Sequence, residues 1–322
     1  MRQRMAQRME ERTTGDTDAK QPGQPTAGPG GAEYSHKSVV SHSYGEGAGK
    51  YWIYEPADPK PETAPLVIFL HGWGGTDPGV YGAWIEHVVK RGHIVVFPVY
   101  QTGFRSPPKE ILPNTVNALH AALKELKGGT HVKPDLSKVA VVGHSAGADL
   151  TGELAAEAGA SGLPLPAAAM MVEPARGKEV AGERNLPLIP MDNLSPMPAS
   201  TLLLVVVGDA DNIAGQSDAK DFFRQASKVP PQNKNFVTVH SDSHGTPALE
   251  ATHFTPVANE KKAKSIDALD YFAYWKLFDA LSDCAFYKKE CDVALGNTAA
   301  QRDMGKWSDG TPVKELTVTT NP

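Results

Sequence analysis

Four short, uninterrupted apolar runs do most to restrict the fold of this 322-residue chain: LVIFL at 66–70, IVVF at 94–97, VAVV at 139–142 and LLLVVV at 202–207. A strand with one wet face alternates apolar and polar residues. A strand that is apolar throughout is buried on both faces, as in a parallel sheet covered by helices on either side. None of the runs approaches the roughly 20 apolar residues that span a bilayer. The pattern predicts strands at Ser38–Tyr44, Tyr51–Tyr54, Pro65–Leu70, His93–Val99, Lys138–Gly143, Ala167–Val172, Thr201–Val207 and Asn235–His240. Helical periods fall between them, over Tyr81–Lys90, Ile111–Lys127, Ala146–Ala158, Ser217–Lys228 and Ile266–Leu281. In the last of these, Ile266, Leu269, Ala273, Leu277 and Leu281 share one face. Alternating β and α predicts a single α/β domain over residues 34–322, a mostly parallel sheet with helices on both faces and no large cap.

Residues 1–33 differ from the rest. They are rich in Arg, Glu, Thr, Gln, Gly and Pro, with Met and Ala as their only aliphatic residues, and are expected to form a disordered polar tail. No apolar run follows Met1–Met5, so no signal peptide is visible as written. The 32 basic and 37 acidic residues are interspersed, with a net charge of −5, which argues against a nucleic-acid-binding face. The stretch Glu173–Ser200, with five prolines, joins two strands without a helical period and reads as a long loop.

The sharpest motif is Gly143-His144-Ser145-Ala146-Gly147, placed between a strand and a helix. This is G-x-S-x-G in the strand–turn–helix setting of a nucleophile elbow, where glycines flank a turn that projects the serine above the sheet. A plain glycine-rich turn is the bland alternative. A P-loop is excluded because no Gly-Lys-Ser/Thr follows, and the dinucleotide fingerprint G-x-G-x-x-G is missing after the first strand. Upstream, the strand ending at Leu70 runs into His71-Gly72-Trp73-Gly74-Gly75, a turn able to expose backbone N–H groups. Trp73 and Ala146 are then the candidate oxyanion-hole donors.

A serine hydroxyl needs a base oriented by an acid. Gly208-Asp209-Ala210-Asp211 closes the most apolar strand, and Asp211, lying further beyond the strand end, is preferred to Asp209 as the acid. His244, in the loop after the last predicted strand, is the expected base, with His253 as the fallback if that loop runs longer. His240 belongs to the strand, and His71 and His144 precede the acid, the wrong order for the base. A metal held by His240, Asp242, His244 and His253 is the alternative for this cluster, disfavoured by the lack of tight ligand spacing.

Together the HGWGG turn, the GHSAG elbow, GDAD and SDSHG resemble the α/β-hydrolase superfamily over nearly all of the chain after residue 33. Within it the chain looks like the compact enzymes related to dienelactone hydrolases, platelet-activating-factor acetylhydrolases and polyester hydrolases. It departs from dienelactone hydrolases proper in carrying Ser145 rather than Cys as nucleophile. The resemblance implies a carboxylic-ester hydrolase working through an acyl-enzyme on Ser145, with no metal or organic cofactor. Its partners would be small-molecule, lipid or polymeric esters. The loop 173–200 occupies the usual position of a lid and is too short and Pro-rich for a helical cap, which implies an open site. Trp73, Tyr100 and Phe104, on turns after strands, are candidates for lining the acyl pocket, with ordinary packing as the alternative. The rivals are a peptidase or amidase using the same triad, and a catalytically silent binding protein of this fold.

Cys284 and Cys291 are the only cysteines. An unbroken helix would hold them about 10 Å apart, beyond disulfide reach. A bridge requires the helix to end near Asp283, and the polar run Lys288-Lys289-Glu290 suits a loop there. The expectation is a disulfide, and with it an extracellular or periplasmic location. The missing signal peptide points instead to the cytoplasm.

Overall fold

In the computed structural model, which describes residues 15–177, 189, 193–258 and 266–322, the apolar runs lie side by side in one nine-stranded sheet. The strands are β1 (Ser38–Tyr44), β2 (Lys50–Ala57), β3 (Thr63–Leu70), β4 (Ile94–Val99), β5 (Lys133–His144), β6 (Ala168–Val172), β7 (Leu202–Gly208), β8 (Lys234–Val239) and β9 (Thr317–Thr319). Their order is β1-β2-β4-β3-β5-β6-β7-β8-β9. From β4 to β8 every neighbour is parallel, while β1, β2 and β9 add antiparallel edges. Alternate residues of one strand feed opposite cores: Val67 and Phe69 enter one, Leu66, Ile68 and Leu70 the other.

Helices α1 (Gly82–Lys90) and α5 (Lys276–Tyr287) cover the first face through Trp84, Val88, Leu277 and Phe278. Helices α2 (Ile111–Lys127), α3 (Ala146–Glu157) and α4 (Ser217–Gln225) cover the second through Leu119, Leu150 and Phe222. The α/β class with both faces covered is as the apolar runs require. No helix among the described residues is long and apolar enough to cross a membrane. The helix expected over Ile266–Leu281 opens as a π-helical segment, Asp270–Trp275, before continuing as α5. Of the loop Glu173–Ser200, residues 178–188 and 190–192 lie outside the described residues. Among the described ones, Leu194 and Met197 pack into the core, and no cap is formed.

The reading of residues 1–33 as a disordered tail needs correction for residues 15–33. These carry no helix or strand, yet they lie against the domain through backbone hydrogen bonds. The N–H of Asp16 donates to the carbonyl of Ser243 at 2.6 Å, and that of Thr17 to the carbonyl of His244 at 2.9 Å. Lys20 and Ser308 exchange two bonds, at 2.9 and 2.8 Å. The N–H of Gly30 donates to the buried carboxylate of Asp279 at 2.7 Å. Composition misses such an arm because backbone groups, not apolar side chains, hold it. Residues 1–14 lie outside the described residues.

Cys284 and Cys291 are joined by a disulfide, with Cα atoms 4.7 Å apart. The helix runs on to Tyr287, past the Asp283 limit expected from the sequence. Lys288 and Glu290, both left-handed at φ 58° and 55°, then fold the chain back so that Cys291 can open the short helix α6 (Cys291–Ala294).

His93, just before β4, is buried, with Nδ1 bonded to the carbonyl of Val88 at 3.1 Å. Burial brings its imidazole down to about 4, against the weaker upward pull of that carbonyl. The folded state therefore holds the ring neutral, whereas in the unfolded chain it protonates near pH 6.5. Its contribution is intact above that value and is lost as pH falls toward 4. Relative to His93→Gln, which cannot titrate, the wild type is expected to lose about 3 kcal/mol of stability between pH 7 and pH 4. Urea unfolding of both proteins at the two pH values measures this, and equal changes would refute it.

Candidate active site

At the C-terminal end of β5 the chain reverses into α3 so sharply that Ser145 adopts φ 56°, ψ −123°. Such a conformation is costly for a residue with a side chain and persists only when its surroundings enforce it. Here the neighbours do so. A Cβ on Gly143 would lie 2.1 Å from the carbonyl oxygen of Gly147, and one on Gly147 would lie 2.3 Å from that of Leu70. The Ser145 N–H donates to the carbonyl of Val172 at 2.9 Å, tying the elbow to β6.

The Ser145 hydroxyl lies 3.0 Å from Nε2 of His253, and Nδ1 of His253 lies 2.8 Å from Oδ2 of Asp211. Asp211 follows β7, and its other oxygen accepts the N–H groups of Ile213 and Ala214 at 2.8 and 2.9 Å. Burial alone would raise this carboxyl. The hydrogen bond and charge of His253, helped by the Ala214 N–H, outweigh it and bring Asp211 down to about 2. The ionised acid accepts Nδ1–H, so Nε2 is free to take the serine proton. This is a Ser–His–Asp triad.

The base is His253, not His244. The loop after β8 doubles back through an antiparallel bridge between Asp242 and Leu249, which places His244 at the far bend. There its Nε2 bonds Asp309 at 2.7 Å and its ring packs beside Trp307. The returning limb is held where the N–H of Ala210 donates to the carbonyl of Ala251 at 3.0 Å, and His253 then reaches the serine. Distance from the strand end was thus the wrong measure for the base. A loop that folds on itself consumes about ten residues before it arrives. Asp209 instead holds that loop, accepting from the N–H and hydroxyl of Ser241 at 2.9 and 2.6 Å and meeting His240 Nδ1 at 3.1 Å. His240, Asp242, His244 and His253 are thereby committed to separate partners and do not converge.

The HGWGG turn lies against the serine, since a Cβ on Gly72 would be 3.3 Å from that of Ser145. Gly72 N–H donates to the Tyr81 hydroxyl at 2.9 Å, Gly74 N–H to Gln101 at 2.9 Å, and Gly75 N–H to the Gly72 carbonyl at 2.8 Å. The N–H groups of Trp73 and Ala146 donate to no protein group among the described residues. His144 was set aside as a base, and it has a different task. Burial, and next the charge of His253, bring it down to about 3, so it stays neutral. Its Nδ1 accepts from the Tyr81 hydroxyl at 2.8 Å and its Nε2–H donates to the backbone carbonyl of His253 at 2.7 Å. A chain of hydrogen bonds thus links the Gly72 turn to the loop carrying the base. Nothing in the motif signalled Tyr81.

Tyr100 does not line a pocket. It is fully buried, its ring stacks on His71 at 4.0 Å, and its hydroxyl donates to the His71 carbonyl. Phe104 is 59% exposed, with its ring over Gly74, and its carbonyl accepts from the Trp73 indole N–H at 3.2 Å.

A family model described as chlorophyllase matches residues 36–208, more than half of the chain. The chain belongs to the chlorophyllase family. None of the curated proteins matches it. The family match contains the serine elbow and stops before Asp211 and His253, which only the fold brings in. This member of the chlorophyllase family is a serine hydrolase of α/β-hydrolase fold. Its Ser145–His253–Asp211 triad serves carboxylic-ester hydrolysis.

Proposed function

We propose that this enzyme hydrolyses bulky carboxylic esters at an open site through an acyl-enzyme, with the N–H groups of Trp73 and Ala146 as the oxyanion hole. Ser145 attacks the ester carbonyl while His253 takes its proton. The imidazolium, steadied by Asp211, returns the proton to the leaving alkoxide, and water repeats the cycle on the acyl-enzyme. Each oxyanion donor is worth about 3 kcal/mol of barrier. The support for these donors is that the Gly72, Gly74 and Gly75 amides are already engaged, while those of Trp73 and Ala146 donate to no group among the described residues.

The observation that carries the substrate reading is the apolar rim. Phe104, beside the Trp73 turn, is 59% exposed, and Ile213, two residues beyond Asp211, is 44% exposed. Neither is covered by a cap formed from the described residues. Exposed large apolar groups on the HGWGG turn and on the loop of the triad acid suit a substrate that brings its own apolar surface. The family description points to chlorophyll, a long-chain ester of a macrocyclic acid. The resemblance to platelet-activating-factor acetylhydrolases and polyester hydrolases points to other bulky esters. The disulfide Cys284–Cys291 supports an oxidising location, extracellular or periplasmic.

A panel of p-nitrophenyl esters of graded acyl length, chlorophyll, and peptide p-nitroanilides tests the reading. Hydrolysis is expected to favour long or bulky esters over acetate, and Phe104→Ala to raise KM for the long esters about tenfold, one apolar ring being worth 1–3 kcal/mol. Preference for anilides would favour the amidase alternative. Failure to label Ser145 with a fluorophosphonate would favour a silent binding protein.

A further inference from the structure

We infer that Glu173, buried behind the triad, is kept as the uncharged carboxylic acid and donates a hydrogen bond to Asp211, making it a positioning residue for the acid–histidine pair. Glu173 follows β6 in the left-handed conformation, φ 49°, and its side chain is fully buried. Its backbone N–H donates to the carbonyl of Val206 at 2.9 Å, which fixes it beside the end of β7. One carboxyl oxygen accepts the N–H of Gly208 at 2.9 Å and the other the hydroxyl of Tyr274 at 3.0 Å. Gly208 opens the turn that carries Asp211, so the bond from its N–H sets the two buried carboxyls side by side.

Two carboxylates cannot hydrogen-bond without a proton between them, and two buried anions in contact repel strongly. The proton belongs to Glu173. Asp211 is already met by three donors, His253 Nδ1–H and the N–H groups of Ile213 and Ala214, and it faces the imidazolium formed during the reaction. Glu173 is met by two neutral donors, Gly208 N–H and the Tyr274 hydroxyl. Burial, and then the charge of Asp211, raise its carboxyl well above the usual range, against the smaller effects of those two donors.

Two features make room for this acid. Gly208 lacks a Cβ that would sit 3.1 Å from a Glu173 oxygen. Tyr274 is delivered by the π-helical segment Asp270–Trp275, and such segments often mark functional sites. A fourth donor leaves the Asp211 carboxylate with no freedom to turn away from His253 and adds no second negative charge.

The test uses the full chain and a short p-nitrophenyl ester, with Ser145→Ala as the inactive control. It rests on the triad and not on substrate size, so failure of the ester-length panel leaves it standing. A carboxamide with its oxygen toward the Gly208 N–H donates the same bond from its NH₂ at the same zero charge, the Tyr274 hydroxyl turning from donor to acceptor. Glu173→Gln is therefore expected to keep kcat within about threefold, and the acid limb of kcat/KM within about 0.3 pH unit of wild type. Were Glu173 ionised, removing its charge would move that limb down by about one unit or more, and this result would overturn the inference. Glu173→Ala is expected to lower kcat about tenfold or more with KM little changed, and an unchanged kcat in the folded variant would equally overturn it. Should that variant fail to fold, the infrared difference between wild type and Glu173→Gln at pH 7 decides. It should contain the C=O stretch of a protonated carboxylic acid, and its absence refutes the inference.

Discussion

Replacing either Ser145 or His253 by alanine is expected to lower kcat on a short p-nitrophenyl ester by about 10⁴–10⁶, and replacing both to cost no more than either alone. The non-additivity follows from the geometry. The hydroxyl is useful only while Nε2 stands 3.0 Å away to receive its proton, so once one partner is gone the other has nothing to do. Neither substitution should unfold the protein. Ser145→Ala removes one oxygen, and the elbow remains held by Gly143, Gly147 and the bond to Val172. His244→Ala is the informative contrast. It breaks a partly exposed pair with Asp309, and such pairs contribute about 0–1 kcal/mol, so kcat should change by less than about threefold. Steady-state kinetics with circular dichroism on the four variants checks this. Activity that survived His253→Ala and vanished in His244→Ala would remove the triad described above.

Asp211→Asn should lower kcat by about 10⁴ while leaving the fold intact. The direction is set by the backbone. Asn would still have to offer its oxygen to the N–H groups of Ile213 and Ala214, which now bond Oδ1, so its NH₂ would face Nδ1 of His253. The imidazole would then carry its proton on Nε2 and could not accept one from Ser145. Asp209→Asn keeps an acceptor for Ser241 and touches no triad residue, and its kcat should stay within about threefold, as expected for a half-exposed polar site. A comparison of kcat/KM for the two variants separates the acids. Equal losses would mean that the loop, rather than the charge, is what Asp211 supplies.

Much of this architecture is legible in the residues. Strands buried on both faces announce themselves as apolar runs, and all eight predicted strands are present; only β9, three residues long, has too little pattern to be read. The elbow is equally plain, because steric crowding demands glycine at both Gly143 and Gly147. Asp211 was distinguishable from Asp209 by its place beyond the strand. What the sequence hides is whatever depends on a loop's path. His253 lies eight residues beyond the tempting SDSHG stretch, and only the bridge between Asp242 and Leu249 shows why the earlier histidine turns outward. Tyr100 was misjudged for a related reason, since position on a turn does not reveal that a hydroxyl is already engaged with a carbonyl. The arm at residues 15–33 was missed because hydropathy is blind to contacts made by the main chain.

That arm has a consequence for how the base is held in place. Lys20 and Ser308, 288 positions apart, close on each other beside the bend that carries His244, and Trp307 donates to Asp242 in the same bend. The segment that delivers the base is thus clasped between two stretches that lie far apart along the chain. The elbow, by contrast, is crowded into shape by glycines two residues either side of Ser145. Loosening either half of that remote clasp would slacken the imidazole's grip while leaving the nucleophile's turn as it stands.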